Sequence, residues 1–231
     1  MRRPMLASGL LAFALVLASA PIYAQQTVSF YVGGIHTPDL YGRPYTDVFL
    51  NNTDFLTFDL RDLSGPTVGG EYLIGMGRFI DAGAGVGFYS RTVPSVYDKY
   101  VNRDGTEIRQ DLGLRMVPIT ATFRVLPFGR SAPIQPYFGA GVAIVDWRYS
   151  EQGQFVDFKD GSIFRDSFQA TGTSTGAVVI GGVKVPVGAW AVGGEVRWQD
   201  VKGNLPAGQG FAGETVDLGG WNYLATFSLR F

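Results

Sequence analysis

The chain has 231 residues, 46% of them apolar and only 17% charged, with a formal net charge of −1; soluble domains carry about 25% charged residues. No basic excess is present to hold nucleic acid. With no cysteine and one histidine, disulfides, acylated cysteines and thiolate or multi-histidine metal sites are excluded, and neither a metal nor another cofactor is expected.

The first element in chain order is a leader. Arg2 and Arg3 precede an apolar, uncharged run over residues 5–20, and Ile22-Tyr23-Ala24 offers a small-residue cleavage site before Gln25. Ala18-Ser19-Ala20 is a second match, but Pro21 would follow that cut. The run is shorter than the ~20 residues a spanning helix needs. Residues 1–24 are therefore predicted to be a secretory signal peptide and residues 25–231 the mature domain.

Beyond Gln25 the pattern is period 2. Eight stretches alternate, at 26–36, 67–76, 79–91, 112–126, 134–149, 172–187, 189–201 and 219–231, long enough to cross a membrane as tilted strands. The second, fourth and sixth are followed by short turns at Gly77-Arg78, residues 127–133 and Gly188. The first, third, fifth and seventh are followed by long connections at 37–66, 92–111, 150–171 and 202–218. Short turns on one side and long loops on the other predict an all-β fold, a closed up-and-down antiparallel transmembrane barrel of eight strands. Within the long connections, Asn102-Arg103-Asp104-Gly105 and Lys159-Asp160-Gly161 are hairpin signals. They predict strand ladders that continue above the membrane.

The faces of the strands separate. Trp221, Tyr223, Ala225, Phe227, Leu229 and Phe231 oppose Asn222, Thr226, Ser228 and Arg230, with Leu224 the exception. Val117, Ile119, Ala121, Phe123 and Val125 oppose Thr120, Thr122 and Arg124. A soluble barrel would alternate as well, but its outer face would be dense in Lys and Glu. Here the polar face is mostly Gly, Ser and Thr, so the apolar face is expected to look out to lipid.

The last strand, Tyr223-Leu224-Ala225-Thr226-Phe227-Ser228-Leu229-Arg230-Phe231, resembles the C-terminal assembly signal of bacterial outer-membrane proteins, with Tyr223, Phe227, Leu229 and Phe231 at the matching positions. The resemblance implies recognition by the barrel assembly machinery and residence in a Gram-negative outer membrane. Over the whole mature chain the sequence is similar to the broad OmpA/OmpW-like class of eight-stranded barrels. That similarity lies in architecture and the last strand, without the peptidoglycan-binding domain of full OmpA-type proteins, and it does not choose among members that transport, adhere or hydrolyse.

Eight strands leave an interior that side chains fill, so no porin-width channel is expected. The candidate lumen charges are Glu71, Asp81, Arg124, Lys184, Glu195, Arg197 and Arg230, read as a structural network because an unpaired buried charge costs several kcal/mol. A narrow polar conduit is the competing reading. His36 is followed by Thr37-Pro38 rather than the His-x-Ser arrangement of outer-membrane lipid A deacylases, and neither Ser90 nor Asp98 has a spacing that requires it nearby; no enzyme is expected. Asp39, Asp47, Asp54, Asp59 and Asp62 are read as solvated loop charges facing lipopolysaccharide bridged by divalent cations. Asp157-Phe158-Lys159-Asp160-Gly161 lacks the ligands of an EF-hand. Tyr41, Tyr45, Phe49, Phe55 and Phe58 are expected to pack the first loop over the barrel mouth. Trp147, Trp190, Trp198 and Trp221, with Tyr89 and Tyr149, lie near the expected strand ends and are read as interfacial girdle. The leading expectation is a monomer in outer-membrane lipid with a structural or surface-interaction role.

Overall fold

Alternating β-branched, aromatic and glycine residues can satisfy every backbone group in lipid only if the strands close on themselves. A computed structural model, describing residues 25–231, shows that closure; the leader and its cleavage site lie outside the described residues. Eight long strands are present: β1 Gln26–His36, β2 Gly65–Met76, β3 Ile80–Val101, β4 Glu107–Val125, β5 Gln135–Val156, β6 Ile163–Val187, β7 Trp190–Asp200 and β8 Gly220–Arg230. Each pairs antiparallel with its chain neighbours, and β8 returns to β1 through the register Phe30↔Phe227. The ring has no free edge.

The expected strands are all present, but four run further than the alternation suggested. β3, β4, β5 and β6 have 22, 19, 22 and 25 residues, against 11, 12, 11 and 11 for β1, β2, β7 and β8. A crossing needs ~9–11 residues, so the long four continue outside the membrane as a half-cylinder wall. Residues 92–111 and 150–171, where the hairpin signals predict ladders continuing above the membrane, are mostly ladder. Each hairpin turns at a signalled glycine. At the first, Gly105 has φ +82, its N–H donates to Asn102 O at 2.9 Å, and Asp104 accepts from the Thr106 N–H.

On the membrane-level part of every strand the apolar side chains face outward. Phe30, Val32, Val68, Val86, Phe88, Ile119, Phe123, Phe138, Val142, Val179, Val192 and Tyr223 are all exposed. Ser29, Glu71, Thr120, Thr122, Arg124, Glu195, Arg197 and Ser228, from the opposite faces, are buried. Leaving a Phe or Val in water forgoes about 1.5–3 kcal/mol per side chain; a hydrocarbon surround removes that cost. Leu224 is buried on the inner face, because the parity of β8 outranks its own hydropathy.

Above the short strands, residues 37–64 and 201–219 fold inward against the tall wall. The first segment holds a helix, α1 Val48–Asn52, capped by the Asp47 side chain. It also holds a two-residue strand that pairs antiparallel with the upper part of β3 (Leu56↔Tyr97) and a 3-10 turn over Leu60–Leu63. The second forms a small hairpin of Lys202–Asn204 with Thr215–Asp217. The expectation of a packed first loop holds for Phe49, Phe55 and Phe58, whereas Tyr41 and Tyr45 are exposed. One acid corrects the sequence reading: Asp47 is not a solvated loop charge but is fully buried.

Candidate functional site

The lower interior is built from charges that the strand parity points inward. Arg124 on β4 meets Glu71 on β2 at 2.5 Å and Glu195 on β7 at 3.1 Å. Arg197, two residues on from Glu195, pairs with it at 2.7 Å and reaches Glu71 at 3.7 Å. Two guanidiniums thus share two carboxylates across the barrel, and all four side chains are at most 5% exposed. Toward the short-turn end Asp81 pairs with Arg130, and with Lys184 at 3.3 Å. Arg230 joins none of these ion pairs; it donates to Gln25 Oε1 at 3.3 Å.

Two tyrosines complete the layer. Tyr137 Oη donates to Glu195 Oε2 at 2.9 Å, and its ring lies under Arg124 at 5.0 Å and Lys184 at 5.6 Å. Arg197 sits 5.1 Å from the Tyr31 ring. Facing glycines make the room: a Cβ on Gly69 would stand 2.3 Å from Tyr31 Oη, and one on Gly182 2.5 Å from Tyr137 Oη. Each aromatic side chain is therefore laid flat on a wall with no side chain of its own. Neither tyrosine was singled out in the sequence, nor was Arg130, which lies in a turn; the odd parity that Tyr137 shares with Val145 was the available signal.

The upper interior is apolar. Leu112, Leu114, Met116, Val145, Trp147, Tyr89, Tyr149, Val178 and Ile180 from the wall close against Phe49, Leu63, Val216 and Leu218 from the two inward-folded segments. Phe49 meets Tyr149 edge-on at 5.1 Å, and Phe211 approaches the same ring at 5.5 Å. Trp147 is 2% exposed, so its girdle assignment is corrected, as are those of Tyr89 and Tyr149, which are fully buried. Its Nε1 donates to Ser174 Oγ at 3.0 Å, and its indole fills the space over Gly172 and Gly203. The other three tryptophans face outward. Trp190 packs on Phe227 with ring centroids 4.9 Å apart near the short-turn end, while Trp198 and Trp221 are direct cross-strand neighbours at the opposite edge.

A small polar group pins this upper plug. Arg43 and Asp47 pair at 2.8 Å with neither side chain exposed. Asp47 Oδ1 accepts from the Asp217 N–H at 2.8 Å, tying the two inward segments together. Asn52 donates to Tyr149 Oη at 3.0 Å and to Glu151 Oε1 at 3.1 Å, and Tyr149 Oη donates to Glu151 Oε1 at 2.6 Å. Glu151, on the part of β5 above the membrane belt, has its pKa raised by burial, partly offset by those hydrogen bonds. Burial likewise raises Asp217, against the backbone N–H of Gly219. The charged layer below and the apolar plug above occupy the bore.

His36 stands at the upper end of β1, exposed, with Nδ1 3.4 Å from Ser64 Oγ. Among the described residues no carboxylate is hydrogen-bonded to its ring.

A closed ring of eight antiparallel strands, apolar outside and polar within at membrane level, with short turns at one end and a tall wall at the other, is the fold of small outer-membrane β-barrels. The chain superposes on the outer-membrane protein OprG of Pseudomonas aeruginosa with a TM-score of 0.54 at 15% identity, over 90% of this chain and 96% of that one. Neisserial surface protein A gives 0.45 at 13% identity over 90% and 99%. Ail, the attachment invasion locus protein of Yersinia pestis, gives 0.43 at 8% over 90% and 98%. No protein-family model and no curated protein sequence matches the chain.

Proposed function

We propose that the protein is a non-conducting, non-enzymatic barrel, exported by its leader to the outer membrane of a Gram-negative bacterium, where it stands as a monomer and presents its wall and inward-folded segments to the outside. The observation that carries this reading is the filled bore. Arg124 and Glu195 are 2% and 3% exposed, and Leu112, Val145 and Phe49 above them are not exposed at all. The function then lies on the surface that projects, as a structural or contact element of the envelope. The outward Tyr223 and Phe227 of β8 and the exposed Phe231 just after it support the reading of this strand as the one taken up by the barrel assembly machinery, and the aromatic pairs at both edges of the belt support a girdle role for Trp190, Trp198 and Trp221.

Planar-bilayer recording tests it. The purified protein, first verified as folded by heat-modifiable migration in gels, is expected to insert without unitary conductance. Stepwise current that disappears in Glu195→Gln would overturn the reading in favour of a gated polar conduit.

A further inference from the structure

Just above the apolar belt, on the outer face of the tall wall, one row of side chains crosses four strands: Ser90 on β3, Arg115 on β4, Arg148 on β5 and Thr171 on β6. Successive members are direct cross-strand partners, Ser90↔Arg115, Arg115↔Arg148 and Arg148↔Thr171. The two guanidiniums in the middle therefore stand opposite one another, their Cβ atoms about 4.5–5.5 Å apart by strand geometry. Like charges so placed are destabilising. Both are exposed, and among the described residues neither enters an ion pair. The carboxylates of the same two strands that face outward nearby, Asp146 and Asp111, form no salt bridge with them. Arg91, the remaining neighbouring cation, is turned to Asp62 O at 2.9 Å. The Arg115 guanidinium lies 5.9 Å from the ring of Phe88, and beneath the row Val86, Phe88, Ile119 and Ile144 are exposed on the outer wall.

We infer that Arg115 and Arg148, flanked by Ser90 and Thr171, form a binding site for the phosphate of a phosphorylated lipid in the outer leaflet, its acyl chains lying on Val86, Phe88, Ile119 and Ile144. A phosphate monoester carries close to two negative charges and several acceptor oxygens. Guanidinium forks match it bidentately, and flanking hydroxyls supply two more donors. The anion turns the repulsion between the arginines into attraction. A soluble anion would use the same donors, but the apolar side chains below the row, past Asp146, select a ligand with hydrocarbon attached. The inference rests on the membrane placement proposed above and adds a ligand to it.

The test uses protein extracted from outer membranes in non-ionic detergent, freed of bound lipid and verified as folded by heat-modifiable migration. A wild-type chain that showed no such shift would defeat the membrane reading itself, separately from this site. Binding of bisphosphorylated lipid A is measured by native mass spectrometry for wild type, Arg115→Gln/Arg148→Gln and Arg109→Gln. Arg109 faces outward on the same strand but pairs with Glu107 at 2.8 Å. Affinity is expected to fall at least tenfold in the double variant and to stay at the wild-type level in Arg109→Gln. Dephosphorylated lipid A should bind wild type no better than the phosphorylated lipid binds the double variant. Thermal unfolding adds an inversion of sign: without lipid the double variant melts at or above wild type, and with phosphorylated lipid A wild type gains more. Equal binding by wild type and double variant, an equal loss in Arg109→Gln, or displacement of the lipid by equimolar inorganic phosphate would each overturn the inference.

Discussion

The lower and upper halves of the bore solve the same problem with different chemistry and different attachments. Below, Glu71, Arg124, Glu195 and Arg197 sit on β2, β4 and β7, strands of the closed ring. No member can leave without opening the barrel. Above, much of the packing comes from residues 37–64 and 201–219, which are tied to the wall by Phe49, Asn52 and Phe211 and to each other by Asp47. Those segments belong to none of the ring's strand pairings, so their release is expected to leave every pair below intact. The charged layer is thus coupled to global stability and the apolar plug to a local opening, and proteins commonly open in such separate units.

Arg124→Met attacks the comparison from below and has the largest expected effect. It leaves Glu71 and Glu195 facing each other with only Arg197 between them. Breaking a buried ion network from one side costs about 4 kcal/mol. Urea unfolding in detergent micelles should show that loss in the global transition, with protease accessibility of residues 37–64 unchanged below it. A wild-type midpoint would mean that water already fills the layer and separates the charges.

Phe49→Ala attacks from above. Removing a fully buried aromatic ring costs about 3 kcal/mol, but here the loss is expected in lid closure rather than in the barrel. Limited proteolysis within residues 37–64 should accelerate by two orders of magnitude, while heat-modifiable migration keeps the wild-type midpoint. A matching drop in that midpoint would show that the plug and the ring unfold together.

The sequence made the two halves unequally legible. The lower layer could be read because a charge stands out on a face otherwise of Gly, Ser and Thr; Glu71, Asp81, Arg124, Lys184, Glu195 and Arg197 all come together there. Arg230 has the same parity but sits at the last rung of the ladder, where its side chain donates to Gln25 rather than to a carboxylate. The upper half was harder. Trp147 was taken for an interfacial residue because β5 was expected to end at Tyr149, whereas it continues to Val156; its parity with Val145 and Tyr149 already pointed inward. Asp47 carries a local hint, Arg43 four residues earlier. Its burial depends on Asp217, 170 residues away in sequence, and only the closed ring brings that contact about.

The smallest effect concerns the proton. Burial raises the pKa of Glu151 above 4.5 and that of Asp217 above 3.8 in the closed arrangement, whereas an open lid would return both to water. The closed state therefore takes up protons more readily than the open one. Its advantage from these two groups is complete below the open-state values and is lost as the pH rises through the raised ones. Acidification from neutrality toward pH ~4 should therefore slow hydrogen exchange in residues 48–52. Glu151→Gln, which keeps an acceptor for Asn52 and Tyr149 without the charge, should start from the slower exchange at neutral pH and flatten most of the dependence. Asp217→Asn should remove the remainder, since Arg43, Asp47 and Lys202 are the charges around it. If Glu151→Gln instead exchanged faster than wild type at neutral pH, the carboxylate would be acting as a charge-assisted acceptor that holds the lid, and the upper plug would resemble the charged layer beneath it after all.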